Sequence, residues 1–178
     1  MNPDERKRRI ERWSRVLSFA VLFTALGLPL VSFVSVLFMA PVDLAKAVHV
    51  PVDVARGAGP LSQVLVAAIG TVPVFIFALG LFALRPALNS FQKGIYFSAA
   101  VFRAFRRLAV ALFASALVKL AVIPLSGAVL SLGQDKGSLS VAIGTSELLP
   151  LLLAAGFWLL SWIFTEAAEV EAENKQFV

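Results

Sequence analysis

The chain has 178 residues, a formal net charge of +5, 59% hydrophobic residues and only 15% charged ones. A soluble domain runs at about 45–50% apolar and about 25% charged, so the composition excludes an ordinary water-soluble globule and points to one domain with a bilayer as its solvent. The absence of cysteine excludes disulfides and thiolate metal sites, and the cations flank apolar runs as membrane anchors do, which argues against nucleic acid as the reason for the basic balance.

Residues 1–15 are a charged cap holding Arg6, Lys7, Arg8, Arg9, Arg12 and Arg15, and the pattern predicts a membrane-surface helix ending at Trp13. Residues 16–39 then carry no charge, which is long enough for a span at about 20 residues per crossing. A cleaved signal peptide is the competing reading, but its apolar core would be about 7–15 residues with a small-x-small site, and Leu37-Phe38-Met39 offers none. Pro29 should kink this span.

Residues 40–60 form a loop with a short repeat, Pro41-Val42-Asp43-Leu44-Ala45-Lys46 and Pro51-Val52-Asp53-Val54-Ala55-Arg56. Proline, then aspartate, then a cation suits two short helices, while the alternation from Val48 to Val54 suits an extended segment equally well. His49 is the only histidine, and a zinc site would need three or four converging ligands, so it reads as a surface side chain and no metal is expected.

Residues 61–84 are a second uncharged span, interrupted by Pro73. The basic segment 85–107 follows, with Arg85, Lys93, Arg103, Arg106 and Arg107. Arg85-Pro86 should end the second span, a short interfacial turn should stop at Gly94, and Ser98 should cap a helix starting near Ala99. Spacings of three and four put Arg103, Arg106 and Arg107 on one face of that helix.

A third span is expected over residues 108–132, broken at Pro124 and containing Lys119. Residues 138–147 are readable as extended or as helical, with Thr145-Ser146-Glu147 resembling a cap and Pro150 in the first turn. A fourth span covers residues 148–165, with Trp158 and Trp162 one turn apart, and residues 166–178 form an acidic tail. Glu166, Glu169 and Glu173 share a helical face that could lie against Arg103, Arg106 and Arg107. Lys119 is costly in mid-membrane, and Glu147, heading the fourth helix, is its nearest candidate counter-charge, with Thr24, Ser32 and Thr71 as neutral alternatives. If the third helix starts earlier than residue 108, Lys119 lies nearer the outer interface and can snorkel.

Counting lysine and arginine gives twelve on the side of residues 1–15, 85–107 and the tail, against Lys46, Arg56 and Lys136 on the other. Both termini should therefore be cytoplasmic. The expected fold is an all-α integral membrane protein, one four-helix transmembrane domain over residues 1–178.

Two stretches carry a resemblance. One is Phe91-Gln92-Lys93-Gly94-Ile95-Tyr96-Phe97-Ser98, followed by Val101, Phe102 and Arg106-Arg107-Leu108; the other is Trp162-Ile163-Phe164-Thr165-Glu166-Ala167-Ala168-Glu169-Val170, continuing to Phe177-Val178. With four spans, these resemble the bacterial membrane family called domain of unknown function 2975, in which a G-x-x-F-S stretch precedes a basic third helix and an acidic tail ends the chain. Asn174-Lys175-Gln176 departs from that pattern. The resemblance implies a multi-pass protein of the bacterial plasma (inner) membrane and carries over no active site. It also implies neighbourhood with a small Cro-type helix-turn-helix regulator, and hence membrane-linked regulation.

No phosphate-cradling Gly-Lys motif, His-Glu-x-x-His or nucleophile elbow is present, so neither an enzyme nor a cofactor is expected. Two functional readings stand. The first is a regulatory or partner-binding membrane protein acting through a cytoplasmic face of Arg103, Arg106, Arg107, Glu166, Glu169 and Glu173. The second is a small transporter or channel subunit built on Lys119, Glu147 and the helix-breaking prolines Pro29, Pro73, Pro124 and Pro150. Expected partners are the lipid bilayer and, by resemblance, the helix-turn-helix regulator; a homo-oligomer is compatible, and direct nucleic-acid contact is not expected.

Overall fold

An apolar chain in lipid must satisfy its backbone polar groups internally, which leaves helices as the natural solution for a sequence of this pattern. The computed structural model describes residues 3–95, 98–132 and 145–174, and among these every regular element is an α-helix. The order is α1 (Pro3–Leu37), α2 (Pro41–Val48), α3 (Val52–Gly57), α4 (Pro60–Phe82), α5 (Arg85–Gln92), α6 (Ala99–Leu130) and α7 (Thr145–Asn174).

Three stretches have the length and apolarity to cross a membrane: Glu11–Leu37, Pro60–Gln92 and Ala99–Leu130, with mean hydropathies of 2.3, 2.5 and 2.3. A shorter apolar stretch, Leu149–Ile163, lies within α7. The chain is accordingly a multi-pass helical membrane protein. Several helix boundaries differ from the sequence pattern. The charged cap is no separate surface helix: α1 runs from Pro3 through Trp13 and Pro29 to Leu37 without interruption. Arg85-Pro86 opens a helix, because Pro86 occupies the first turn, where its missing N–H costs nothing. The helix of the third span starts at Ala99, where the Ser98 cap puts it, and stops at Leu130, short of the expected residue 132. Residues 138–144 lie outside the described residues, while Thr145, Ser146 and Glu147 are already helical.

The helices pack as an open row. α1 packs on α4, α4 on α6 and α6 on α7, with α5 wedged against α1 and α6 at one end. α7 makes no substantial contact with α1 or α4 among the described residues, so these contacts do not close the row into a bundle. Along α1, the buried line of described side chains is Ser14, Val21 and Ala25, while Phe19, Phe23 and Leu26 are exposed. In a bilayer that exposure is ordinary, since lipid tails are as apolar as leucine.

Neighbours run antiparallel. The Gln63 amide donates to the Leu37 carbonyl at 2.9 Å and ties the start of α4 to the end of α1. Gly80 of α4 allows a close approach to α6: a Cβ there would overlap that of Ala111 and press on Leu108. Further along α6, the Ser115 hydroxyl donates to the Pro73 carbonyl at 2.8 Å. Small residues at a crossing and a hydroxyl bridging two helices are how membrane helices associate without a hydrophobic drive.

The loop of residues 40–60 folds as a cap over one end of the row. Both copies of its repeat are helical. In α2, Pro41 fills the first position, Asp43 lies in the first turn and Lys46 in the last; in α3, Asp53 and Arg56 repeat the charge pattern behind Pro51. α2 stops at His49, which takes the left-handed conformation at φ 58°, and the Val50 N–H closes back on the Ala45 carbonyl at 3.0 Å. The same two repeat positions face inward in each copy, Leu44 and Ala45 in one and Val54 and Ala55 in the other. They pack with Val48, Val50, Val66 and Leu130 into one buried cluster.

Candidate functional site

The polar side chains of interest are split between the two ends of the row. At the capped end stand Lys119 and His49. At the opposite end stand the arginines of α5 and α6 and the end of α7.

The basic end is built from local sequence upward. Ser98 is extended, at φ −141° and ψ 152°, and its hydroxyl accepts the Val101 N–H at 3.4 Å, capping α6. α5 lies against this first turn through buried Ala87, Val101 and Ala104, flanked by Phe91, Phe102 and Phe105. On another side of α6, Leu108 and Leu112 pack on Ala154 of α7, and the rings of Phe105 and Phe157 stack with centroids 6.1 Å apart. With these faces committed, Arg103, Arg106 and Arg107 are left exposed. The Nε of Arg103 donates to the Ala99 carbonyl at 3.1 Å. The guanidinium of Arg106 lies 5.6 Å from the ring centre of Trp158, a cation–π distance. Arg85 lies similarly over Phe82, at 5.2 Å.

Glu166 is exposed near the same end of the row. The described contacts of Arg103 and Arg106 go to Ala99 and Trp158 instead. The side chains of Glu169 and Glu173 lie outside the described residues, but the helix that carries them continues to Asn174.

Lys119 is exposed and lines a small pocket of about 190 Å³ with Val36, Met39, Leu44, Gly70 and Pro73. Leu44 belongs to the cap, so Lys119 stands toward the capped end. Along α6, which starts at Ala99, Lys119 lies about 18 Å from Arg107 and about 30 Å from the first residue at 1.5 Å per residue. The side chain of Glu147 is not among those described. His49, Asp43 and Asp53 are all exposed, and no group of three or more metal-ligating side chains converges among the described residues.

Two apolar grooves flank Val110 on the exposed face of α6. One lies between α4 and α6, has a volume of about 570 Å³ and is lined by Gly80, Ala114 and all three arginines. The other lies between α6 and α7, has a volume of about 640 Å³ and is lined by Phe113, Trp158 and Trp162. Sequence reasoning found the arginines and the tryptophan pair but not the grooves. The available signal was the small residues Gly80, Ala111 and Ala114, which mark where two helices leave space beside their contact.

A family described as Protein of unknown function (DUF2975) matches residues 11–178 of the chain. No curated protein and no solved structure matches it.

Proposed function

We propose that this chain, which belongs to the DUF2975 family over residues 11–178, has a membrane-embedded regulatory role exercised by binding a protein partner at the basic end of the row. In this reading α1, α4, α6 and α7 are four crossings of a bacterial inner membrane and both termini are cytoplasmic. The charge count supports that orientation. So does the antiparallel row, in which the start of α1, α5, the start of α6 and the end of α7 share one end.

One observation carries the partner-binding reading. α7 does not stop where its uncharged stretch ends at Thr165 but continues as helix to Asn174. Those further residues extend it by about 14 Å at 1.5 Å per residue, and they include Glu166, Glu169, Glu171 and Glu173. A helix end that leaves the membrane with four carboxylates is a handle for a basic protein. A helix-turn-helix regulator has a basic surface of its own for DNA, and charge complementarity favours the encounter.

The test is co-purification of the full chain with a co-expressed Cro-type helix-turn-helix regulator from its own genome. Capture should weaken at least about tenfold in Glu166→Lys/Glu169→Lys/Glu173→Lys, and in the parent it should weaken with rising salt. Capture that ignores both the substitutions and salt overturns the reading. The transporter alternative rests on the Lys119 pocket beside Pro73. Its support would be liposome flux abolished by Lys119→Met.

A further inference from the structure

The arginines of α6 have an unusual position for a partner-binding patch. Arg103, Arg107, Val110, Ala114 and Leu117 follow one another at spacings of four, three, four and three along one side of the helix. Val110, Phe113 and Leu117 on this side are exposed. An apolar, exposed helix side within a membrane-crossing stretch faces lipid tails. Arg103, Arg106 and Arg107 therefore cap a lipid-facing surface at headgroup level.

The two grooves sharpen this. Both are lined by Val110, which stands between them as a ridge. The first runs along α6 from Arg103 to Ala114 and the second along α7 from Trp162 to Leu151. Below the level of the arginines each continues for about 10 Å at 1.5 Å per residue, from Arg107 to Ala114 in one and from Trp158 to Leu151 in the other, within the ~15 Å depth of one leaflet's hydrocarbon. Among the described residues, neither groove is lined by an aspartate or glutamate. The wall of the second carries Trp158, on which Arg106 rests, so the cationic group sits between the mouths of both grooves. Basic clusters at the ends of grooves between membrane helices suit anionic headgroups.

We infer that this face binds one anionic phospholipid, its phosphate held by Arg103, Arg106 and Arg107 and its two acyl chains laid in the grooves on either side of Val110. Charge complementarity fixes the headgroup class, and the pair of apolar grooves running on below the arginines favours a two-chain lipid over a free anion. The inference requires the row to lie in a bilayer and requires nothing of the partner at the end of α7.

The chain has three tryptophans, and two of them, Trp158 and Trp162, line the second groove. Full-length Trp13→Phe protein is reconstituted into dioleoylphosphatidylcholine vesicles, with brominated phosphatidylcholine or brominated phosphatidylglycerol replacing the host lipid stepwise. Quenching should reach half-maximum at about a fivefold lower mole fraction of the anionic lipid, at least one basic residue's share of attraction. Arg103→Gln/Arg106→Gln/Arg107→Gln should abolish the preference. Arg85→Gln, outside both grooves, should keep it. Arg107→Gln alone removes an exposed charge with little packing to lose and should lower the preference on its own, which guards against a misfolded triple variant.

Equal quenching by both lipids in the parent overturns the inference, as does a preference that survives the triple substitution. Displacement of the lipid by inorganic phosphate at constant ionic strength would identify a free-anion site and overturn it. So would absent quenching together with crosslinking between copies through Val110→Cys, which would make the face a dimer contact. A preference appearing only after deletion of residues 166–178 would give the arginines to the acidic tail and overturn it as well.

Discussion

At the capped end of the row, α2 and α3 cover the helix ends with a dry cluster in which Leu130 is 0% exposed and Val66 2%. At the basic end, α5 covers only part of α6, and Val110, one helical turn from Arg106 and Arg107, is 49% exposed. Both ends are apolar by composition, but they use that character differently. The cap buries it against protein, and the basic end turns it outward beneath three charges. A helix end closed by its own chain is suited to rigidity, while an end with exposed charge and open grooves is suited to recognition.

The largest effect that tests this contrast is truncation of one apolar side chain at each end. Leu130→Ala should cost about 2–5 kcal/mol, because a fully buried leucine loses both transfer energy and packing. Val110→Ala should cost less than about 0.5 kcal/mol. Unfolding of the purified protein in mixed micelles measures both, and equal losses would erase the distinction between the ends.

A second test asks whether the grooves depend on a close helix crossing. Gly80→Val should cost about 1–3 kcal/mol through overlap with Ala111. Gly70→Ala and Gly156→Ala, which meet nothing within 4 Å, should be neutral or stabilising by up to about 1 kcal/mol. Thermal midpoints of the three variants check the order, and a tolerated Gly80→Val would mean that α4 and α6 do not approach as described.

Among the described residues each end has one left-handed residue, His49 at φ 58° in the cap and Gly94 at φ 73° beyond α5. His49→Gly should stabilise by about 0.5–1 kcal/mol and Gly94→Ala should destabilise by about 1 kcal/mol, since only glycine takes this region without a Cβ penalty. Opposite signs in the same unfolding assay are the expected result; a shared sign would mean that one of the two turns is formed differently.

The smallest effect concerns Lys119 and Glu147. Lys119→Met and Glu147→Gln should couple in a double-mutant cycle by about 0.6 kcal/mol, the average for polar pairs between membrane helices. Strict additivity would leave Lys119 as a snorkelling side chain and remove the main support of the transporter reading.

The amino-acid sequence by itself determined the helices, because uncharged stretches of this length have no other way to satisfy their backbone in lipid. It also determined the N-cap at Ser98, the shared face of the three arginines and the matching halves of the cap repeat, all of which follow from local spacing. It left the repeat open between helix and strand, since proline-led helices and alternating valines both fit Val48 to Val54. Burial of Leu44, Ala45, Val54 and Ala55 against Leu130 settled it, a contact between segments far apart in the chain. Only the tertiary structure decided the open row and the grooves beside Val110. Residues that face lipid and residues that face another helix are equally apolar, so hydropathy shows that a helix is in the membrane without showing which side meets protein.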